Sequence, residues 1–215
     1  MTPNAHCNRP AAYAPPVLAP PASESRLSLH EAGDDDRDEV EAFIAEVYAR
    51  RYGATLSQFA PRLVSLRDPR TGALVAAAGY RVAGGQALFL ERYLPAPVEQ
   101  LIADRLDHPV ARSSIVECGQ LAAIRAGEGR RLIHLLGQHL SQQPLEWVVS
   151  TLTQELRHLF DRLGVAPLML GEAHADAVGD ERPAWGSYYE HHPVVLAGRL
   201  TPSLNRMVTR GETPA

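Results

Sequence analysis

The run from Ser114 to Leu140 constrains this chain more than any other. Ser114 to Ala123 has the apolar content of a buried strand. Gly127-Glu128-Gly129 follows, and Leu132, Ile133, Leu135, Leu136 and Leu140 then mark an amphipathic helix over Arg130 to Leu140. A strand that runs through a Gly-containing loop into a helix presents free backbone N–H groups at the helix N-terminus, which suit a phosphate. Gly127 and Gly129 let the backbone approach such an anion, and Arg125, Arg130 and Arg131 add positive charge. The alternative reading is a surface turn with Gly cap chemistry. A second strand–helix unit follows, with Trp147 to Leu152 as the strand and Gln154 to Leu163 as the helix, closed by Gly164.

The preceding segment reads differently. Arg26 to Glu31 alternates as a first strand, and Gly33-Asp34-Asp35-Asp36 supplies caps and acidic charge for a helix. Val40, Phe43, Ile44, Val47 and Tyr48 fall on one face of that helix, which ends near Gly53. Leu63 to Leu66 and Ala73 to Val82 pair as a hairpin around Asp68-Pro69-Arg70-Thr71-Gly72. Gly84-Gly85 turns the chain into a short strand over Ala87 to Glu91, and Pro97 opens a helix over Val98 to Leu106. Ala166 to Leu170 and Val194 to Leu200 read as two late strands, with a polar loop carrying Trp185, Tyr188 and Tyr189 between them. Hairpins first and strand–helix units second predict a single α+β domain, with a central mixed, mostly antiparallel sheet flanked by helices.

Charge excludes several chemistries. All 21 basic side chains are Arg, so no lysine can form a Schiff base or grip a nucleotide phosphate in the Walker or kinase manner. With 25 acidic residues the net charge is −4, a poor footprint for nucleic acid. Cys7 and Cys118 lie far apart and form neither a disulfide framework nor a zinc signature, which suits a reducing, cytoplasmic setting. His134 and His139, and the adjoining His191 and His192, have no metal-ligand spacing, so no metal is expected. Residues 1–24 read as a disordered Pro/Ala-rich tail, because four prolines break Ala11 to Ala22 and deny it the form of a signal peptide. The domain is expected over 25–201 and a flexible tail over 202–215. No stretch is long and apolar enough to predict a membrane span.

The loop Gly127-x-Gly129 after a strand resembles the pyrophosphate loop of the GNAT acyltransferase superfamily. There a Gln or Arg, two residues, a Gly, one residue and a Gly or Ala hold the pyrophosphate of acyl-CoA. Here Ile124 stands at the Gln/Arg position and Arg125 one residue later; Phe160 stands where the superfamily often has a Tyr that protonates the leaving thiolate. Four segments resemble the thermostable hemolysin family more closely: Phe89-Leu90-Glu91-Arg92-Tyr93-Leu94, Ile115-Val116-Glu117-Cys118-Gly119-Gln120-Leu121-Ala122, Trp147-Val148-Val149-Ser150-Thr151 and Trp185-Gly186-Ser187-Tyr188-Tyr189. The resemblance covers roughly Leu27 to Leu200. Glu91-Arg92 and Glu117-x-x-x-Leu121-Ala122 are also similar to acyl-homoserine-lactone synthases, which move an acyl group from a carrier protein or CoA to an amine.

The resemblance implies acyl transfer from an acyl-CoA or acyl-phosphopantetheine thioester to a small-molecule amine, with an acyl carrier protein as an alternative donor. A strand that splays open before the phosphate loop would offer the N–H of Leu121 or Ala122 to the thioester carbonyl. Glu117 is the candidate base, with a structural ion pair as its alternative. Leu121, Ala122, Ala123, Arg125, Gly127, Glu128, Gly129, Arg130, Arg131 and Thr151 are the expected donor-binding residues. Glu91, Arg92, Trp185 and Tyr188 are the expected acceptor-binding residues. Cys118 reads as a small buried hydrophobe rather than a nucleophile. Two rival readings stay open: a non-catalytic acyl- or CoA-binding module, and a membrane-active lysin. An exposed edge among the late strands would permit a homodimer.

Overall fold

A computed structural model describes residues 26–162 and 166–200. The expected tails over 1–24 and 202–215, Gly164 and the last residue of its helix lie outside the described residues. In chain order the elements are β1 (Ser28–His30), α1 (Arg37–Tyr52), β2 (Arg62–Arg67), β3 (Leu74–Val82), α2 (Val98–Leu106), β4 (Ile115–Ala123), α3 (Ala126–Ser141), β5 (Trp147–Leu152), α4 (Gln154–Arg162), β6 (Leu168–Glu172) and β7 (Val194–Arg199). The strands form one sheet in the order β1-β2-β3-β4-β5-β7-β6. Only β4 and β5 run parallel; every other neighbour pair is antiparallel.

Both faces of the sheet are covered, which explains the continuous apolar runs in its central strands. On one face, Val40, Ile44, Tyr48 and Tyr52 recur every fourth residue along α1 and pack on Leu63, Ala77 and Ala122. The same face continues under α2, where Val98 and Ile102 meet Ile115, Trp147 and Val149. On the other face Leu132, Leu136 and Leu140 of α3 pack on Val64, Leu66, Ala76, Ala78 and Val116. Burying three such leucines contributes about 2 kcal/mol each by area.

Four expectations need correction. Ala87 to Glu91 is not a strand: the chain forms a 3-10 turn over Phe89–Tyr93, because Glu91 and Glu117 take up its backbone N–H groups. Gly127-Glu128-Gly129 is not a loop: α3 begins at Ala126, so both glycines sit in its first turn. The polar loop before β7 carries 3-10 segments, Ala175–Trp185 and Tyr188–His191. The Asp36 carboxylate also departs from its expected capping role and meets His30 Nδ1 at 2.8 Å.

Candidate active site

The parallel pairing of β4 with β5 covers only Ile115 to Glu117 against Trp147 to Val149. Both strands continue, β4 to Ala123 and β5 to Leu152, but no longer face to face. The parting coincides with an irregularity in β4. Gly119 faces Gly79 and Ala122 faces Ala77, so Gln120 and Leu121 together oppose the single residue Ala78. Gln120 adopts φ +53°, an unusual conformation for a side-chain-bearing residue. Its amide holds that bend in place: Oε1 accepts from Ala60 N at 3.0 Å and Nε2 donates to Gln58 O at 2.8 Å.

A cavity of about 330 Å³ passes through the seam. On the α1 side it is lined by Tyr52, Phe89, Tyr93, Glu117, Trp185 and Tyr188; on the α3 side by Ile133, Leu136, Leu140, Leu156 and Phe160. Leu121, Ser150 and Thr151 stand at the parting itself. Ala122 and Ala123, expected beside Leu121, do not line the cavity; Ala122 is buried against α1. Thr153 is buried at the wall, and its hydroxyl has no hydrogen-bond partner among the described residues.

Glu117 is 9% exposed. Its Oε2 accepts from Phe89 N and its Oε1 from Leu90 N, both at 2.9 Å, and Arg81 Nε stands 3.5 Å away. Burial raises its pKa; the two N–H donors and the Arg81 charge oppose that rise without cancelling it. Glu117 therefore organises the Phe89–Tyr93 turn and also lines the cavity.

Aromatic side chains close the α1 side. Trp185 lies 5.2 Å from Tyr188 and 5.6 Å from Phe89, ring to ring. Tyr93 and Tyr189 share a hydroxyl hydrogen bond at 2.8 Å, and Tyr188 donates to Thr151 O at 3.5 Å. Gly186 lets this segment sit on the end of α1. Its φ is +52°, a Cβ there would fall 2.0 Å from Tyr52 O, and Ser187 N donates to that oxygen at 2.8 Å.

Glu91 and Arg92 do not join this wall. Glu91 accepts from Leu88 N, Val98 N and both terminal nitrogens of Arg112, outside the cavity. Arg92 pairs with Glu181 at 3.0 Å and lies over the Phe89 ring, behind the lining. Burial pushes the Cys118 thiol up to about 12, which makes it inert. No group of three or more His, Cys, Asp or Glu among the described residues could hold a metal ion.

Arg125 precedes α3 as its cap residue, and Gly127, Glu128 and Gly129 fill the first turn; Arg125 O accepts from Glu128 N at 3.1 Å and from Gly129 N at 3.3 Å, which leaves Gly127 N, of these three, without a backbone partner among the described residues. A Cβ on Gly129 would meet the Ala123 Cβ at 3.3 Å, so glycine there lets the helix start close beside β4. Arg130 and Arg131 follow in the next turn, and none of these residues lines the cavity itself. Sequence reasoning missed Arg81, Gln120 and Tyr93. Arg81 was detectable as the one charged residue in the apolar β3 segment, and Gln120 as a polar residue in an apolar strand. The positive φ of Gln120 leaves no mark in composition.

The family model described as thermostable hemolysin matches residues 30–204. Among curated proteins nothing matches the sequence. Solved structures show the fold. TofI in an apo form is 16% identical with a TM-score of 0.56, covering 84% of this chain and 96% of its own. FeeM, an N-acyl amino acid synthase from uncultured soil microbes, is 11% identical with a TM-score of 0.57, covering 88% and 99%. BjaI, a CoA-dependent acyl-homoserine lactone synthase described with SAM and isopentyl-CoA, is 10% identical with a TM-score of 0.57, covering 89% and 91%. The seven-stranded mixed sheet flanked by helices is the GNAT-like arrangement that these proteins share.

Proposed function

We propose that this chain, which belongs to the thermostable hemolysin family, transfers an acyl group from a thioester to an amine. The observation that carries the proposal is the seam: β4 and β5 part beside a bulge, and the cavity there runs from Glu117 on one side of the sheet to Ile133, Leu136 and Leu140 of α3 on the other. An acyl-CoA or acyl-phosphopantetheine donor suits that geometry. Its phosphate would lie on the first turn of α3, at Gly127, Glu128 and Gly129, with Arg125, Arg130 and Arg131 around it. The pantetheine arm would run past Thr151 toward Leu121. An acyl carrier protein would present the same arm.

In the reaction the amine nitrogen attacks the thioester carbonyl. The C–N bond forms, the C–S bond breaks, and the sulfur leaves as a thiol. An ammonium acceptor sheds two protons on the way to the amide; the thiolate takes one and solvent receives the other. Glu117 and Glu181 both line the cavity; Glu181 is held by Arg92, and Glu117 is the carboxylate that accepts the first proton, directly or through water. The Leu121 N–H, at the bulged position opposite Ala78, is the donor for the carbonyl oxygen as it gains charge. The Ala122 residue is committed to its partner Ala77. This reading places the protein in the cytoplasm, where such thioesters are made, and allows a homodimer through the edge of the sheet at β6.

A binding module without turnover is favoured by one observation: Phe160 lines the cavity and has no hydroxyl to protonate a thiolate. Among the described residues no helix is long and apolar enough to cross a membrane.

The test is calorimetric binding of acetyl-CoA, a long-chain acyl-CoA and an acyl-pantetheine, followed by thiol release on adding amines. Binding with amine-dependent thiol release is the expected result. Binding without release would select the module. No binding by any of the three, and none by an acyl carrier protein, would overturn both readings.

A further inference from the structure

The acceptor side of the cavity holds a cation that the mechanism above does not use. Arg81 stands opposite Glu117 in the β3–β4 ladder and lines the cavity wall. Its Nε approaches Glu117 Oε2 at 3.5 Å, longer than a hydrogen bond. No hydrogen bond joins its terminal nitrogens to an acceptor among the described residues, although its side chain is only 32% exposed. The contrast with Arg112 is sharp: that guanidinium is saturated by Glu91, Glu99, Gly84 O and Gln86 O. An Arg with an unengaged planar fork at a largely apolar cavity is suited to a carboxylate held bidentately.

The surroundings define the rest of the ligand. Glu117 lies beside Arg81, so a group held by the guanidinium carries its nearest substituents to the carboxylate that receives the proton. Phe89, Tyr93, Trp185 and Tyr188 supply apolar walls around that point. Resting on the acyl-transfer reading, we infer that the acceptor is an α-amino acid with an apolar side chain, its carboxylate on Arg81, its amine at Glu117 and its side chain against these rings. The product is an N-acyl amino acid: the amino nitrogen bonds the acyl carbon, the thiol departs, and the carboxylate stays intact.

The test uses the full chain, an accepted acyl-CoA donor, and matched acceptors: phenylalanine and phenethylamine, leucine and isoamylamine, with S-adenosylmethionine as a charged amino acid. Thiol release and amide mass are both read. The wild type is expected to prefer each amino acid over its decarboxylated amine by about 30-fold in kcat/KM, the value of one charge-assisted bidentate contact. Arg81→Gln is expected to raise KM for phenylalanine and shrink that preference to a few-fold, and Arg81→Lys to fall between. Donor binding by each variant reports that it is folded. Equal use of acid and amine by the wild type would overturn the carboxylate assignment while leaving acyl transfer standing. Preference for S-adenosylmethionine over phenylalanine and leucine would overturn the apolar side chain. Preference retained in Arg81→Gln would remove Arg81 from the site. No thiol release with any acceptor would overturn both this inference and the acyl-transfer reading.

Discussion

Replacing Glu91 by Gln separates a structural carboxylate from a substrate-binding one. Glu91 Oε1 and Oε2 take Arg112 Nη1 and Nη2 at 2.7 and 2.8 Å, and the same oxygens accept from Val98 N at 3.0 Å and Leu88 N at 2.8 Å. The Arg112 guanidinium and these backbone donors hold the carboxyl down to about 2, from an ordinary 4.5. At about 1.4 kcal/mol for each tenfold, that gap corresponds to about 3 kcal/mol of stability at neutral pH. The Glu91 side chain is only 13% exposed, but that of Arg112 is 24% exposed, and solvent there screens the pair. The expected loss in Glu91→Gln is therefore about 2 kcal/mol, a fall in Tm of roughly 4–8 °C for a domain of this size. The sign follows from the depressed pKa: the contribution is complete above 4.5 and is lost as pH falls toward 2. Urea unfolding of both proteins at a series of pH values reads it. The curves should differ at pH 7 and converge near pH 2. A difference under 0.5 kcal/mol at pH 7, or one that ignores pH, would refute the brace.

Glu117→Gln should lower turnover by about 100-fold or more while donor affinity stays within a few-fold; full activity would remove Glu117 from the base role. Because burial raises its pKa, wild-type kcat/KM should climb with pH through a range above that of an ordinary carboxylate, and a flat acid limb would contradict this. Gly129→Glu and Arg130→Glu should each abolish binding of a thioester donor with the circular dichroism unchanged; calorimetry showing wild-type affinity in either would sink the phosphate site on α3. Cys118→Ala should keep thiol release within a few-fold, since its thiol is inert; loss of activity with retained folding would reopen a covalent route.

Much of the architecture was written in local patterns. The spacing of Val40, Ile44 and Tyr48 marks α1, the Asp68 turn marks the β2–β3 hairpin, and β5 and α2 fall where their apolar runs and Pro97 put them. The error at Phe89–Tyr93 has a physical cause. Its apolar run satisfies a strand pattern, but Glu117, distant in sequence, supplies the acceptors that bend it into a turn. The start of α3 was missed because Gly127 and Gly129 are poor helix formers, yet close packing of Gly129 on Ala123 overrides propensity. Within the site, Glu117 and Thr151 were legible as polar residues in apolar strands, Trp185 and Tyr188 as aromatic residues in a loop, and Leu121 through the family resemblance; all line the cavity. Glu91 read as equally available. Its engagement depends on Arg112, whose position across the Phe89–Tyr93 turn no spacing rule specifies.

The central claim is that the seam between β4 and β5 is a thioester site. A crystal structure of the chain with a non-hydrolysable thioether analogue of acyl-CoA tests it most directly. The account predicts the pyrophosphate on the first turn of α3 and the carbonyl analogue within hydrogen-bond reach of the Leu121 N–H. A ligand bound elsewhere with the seam empty, or a carbonyl turned away from Leu121, would contradict it.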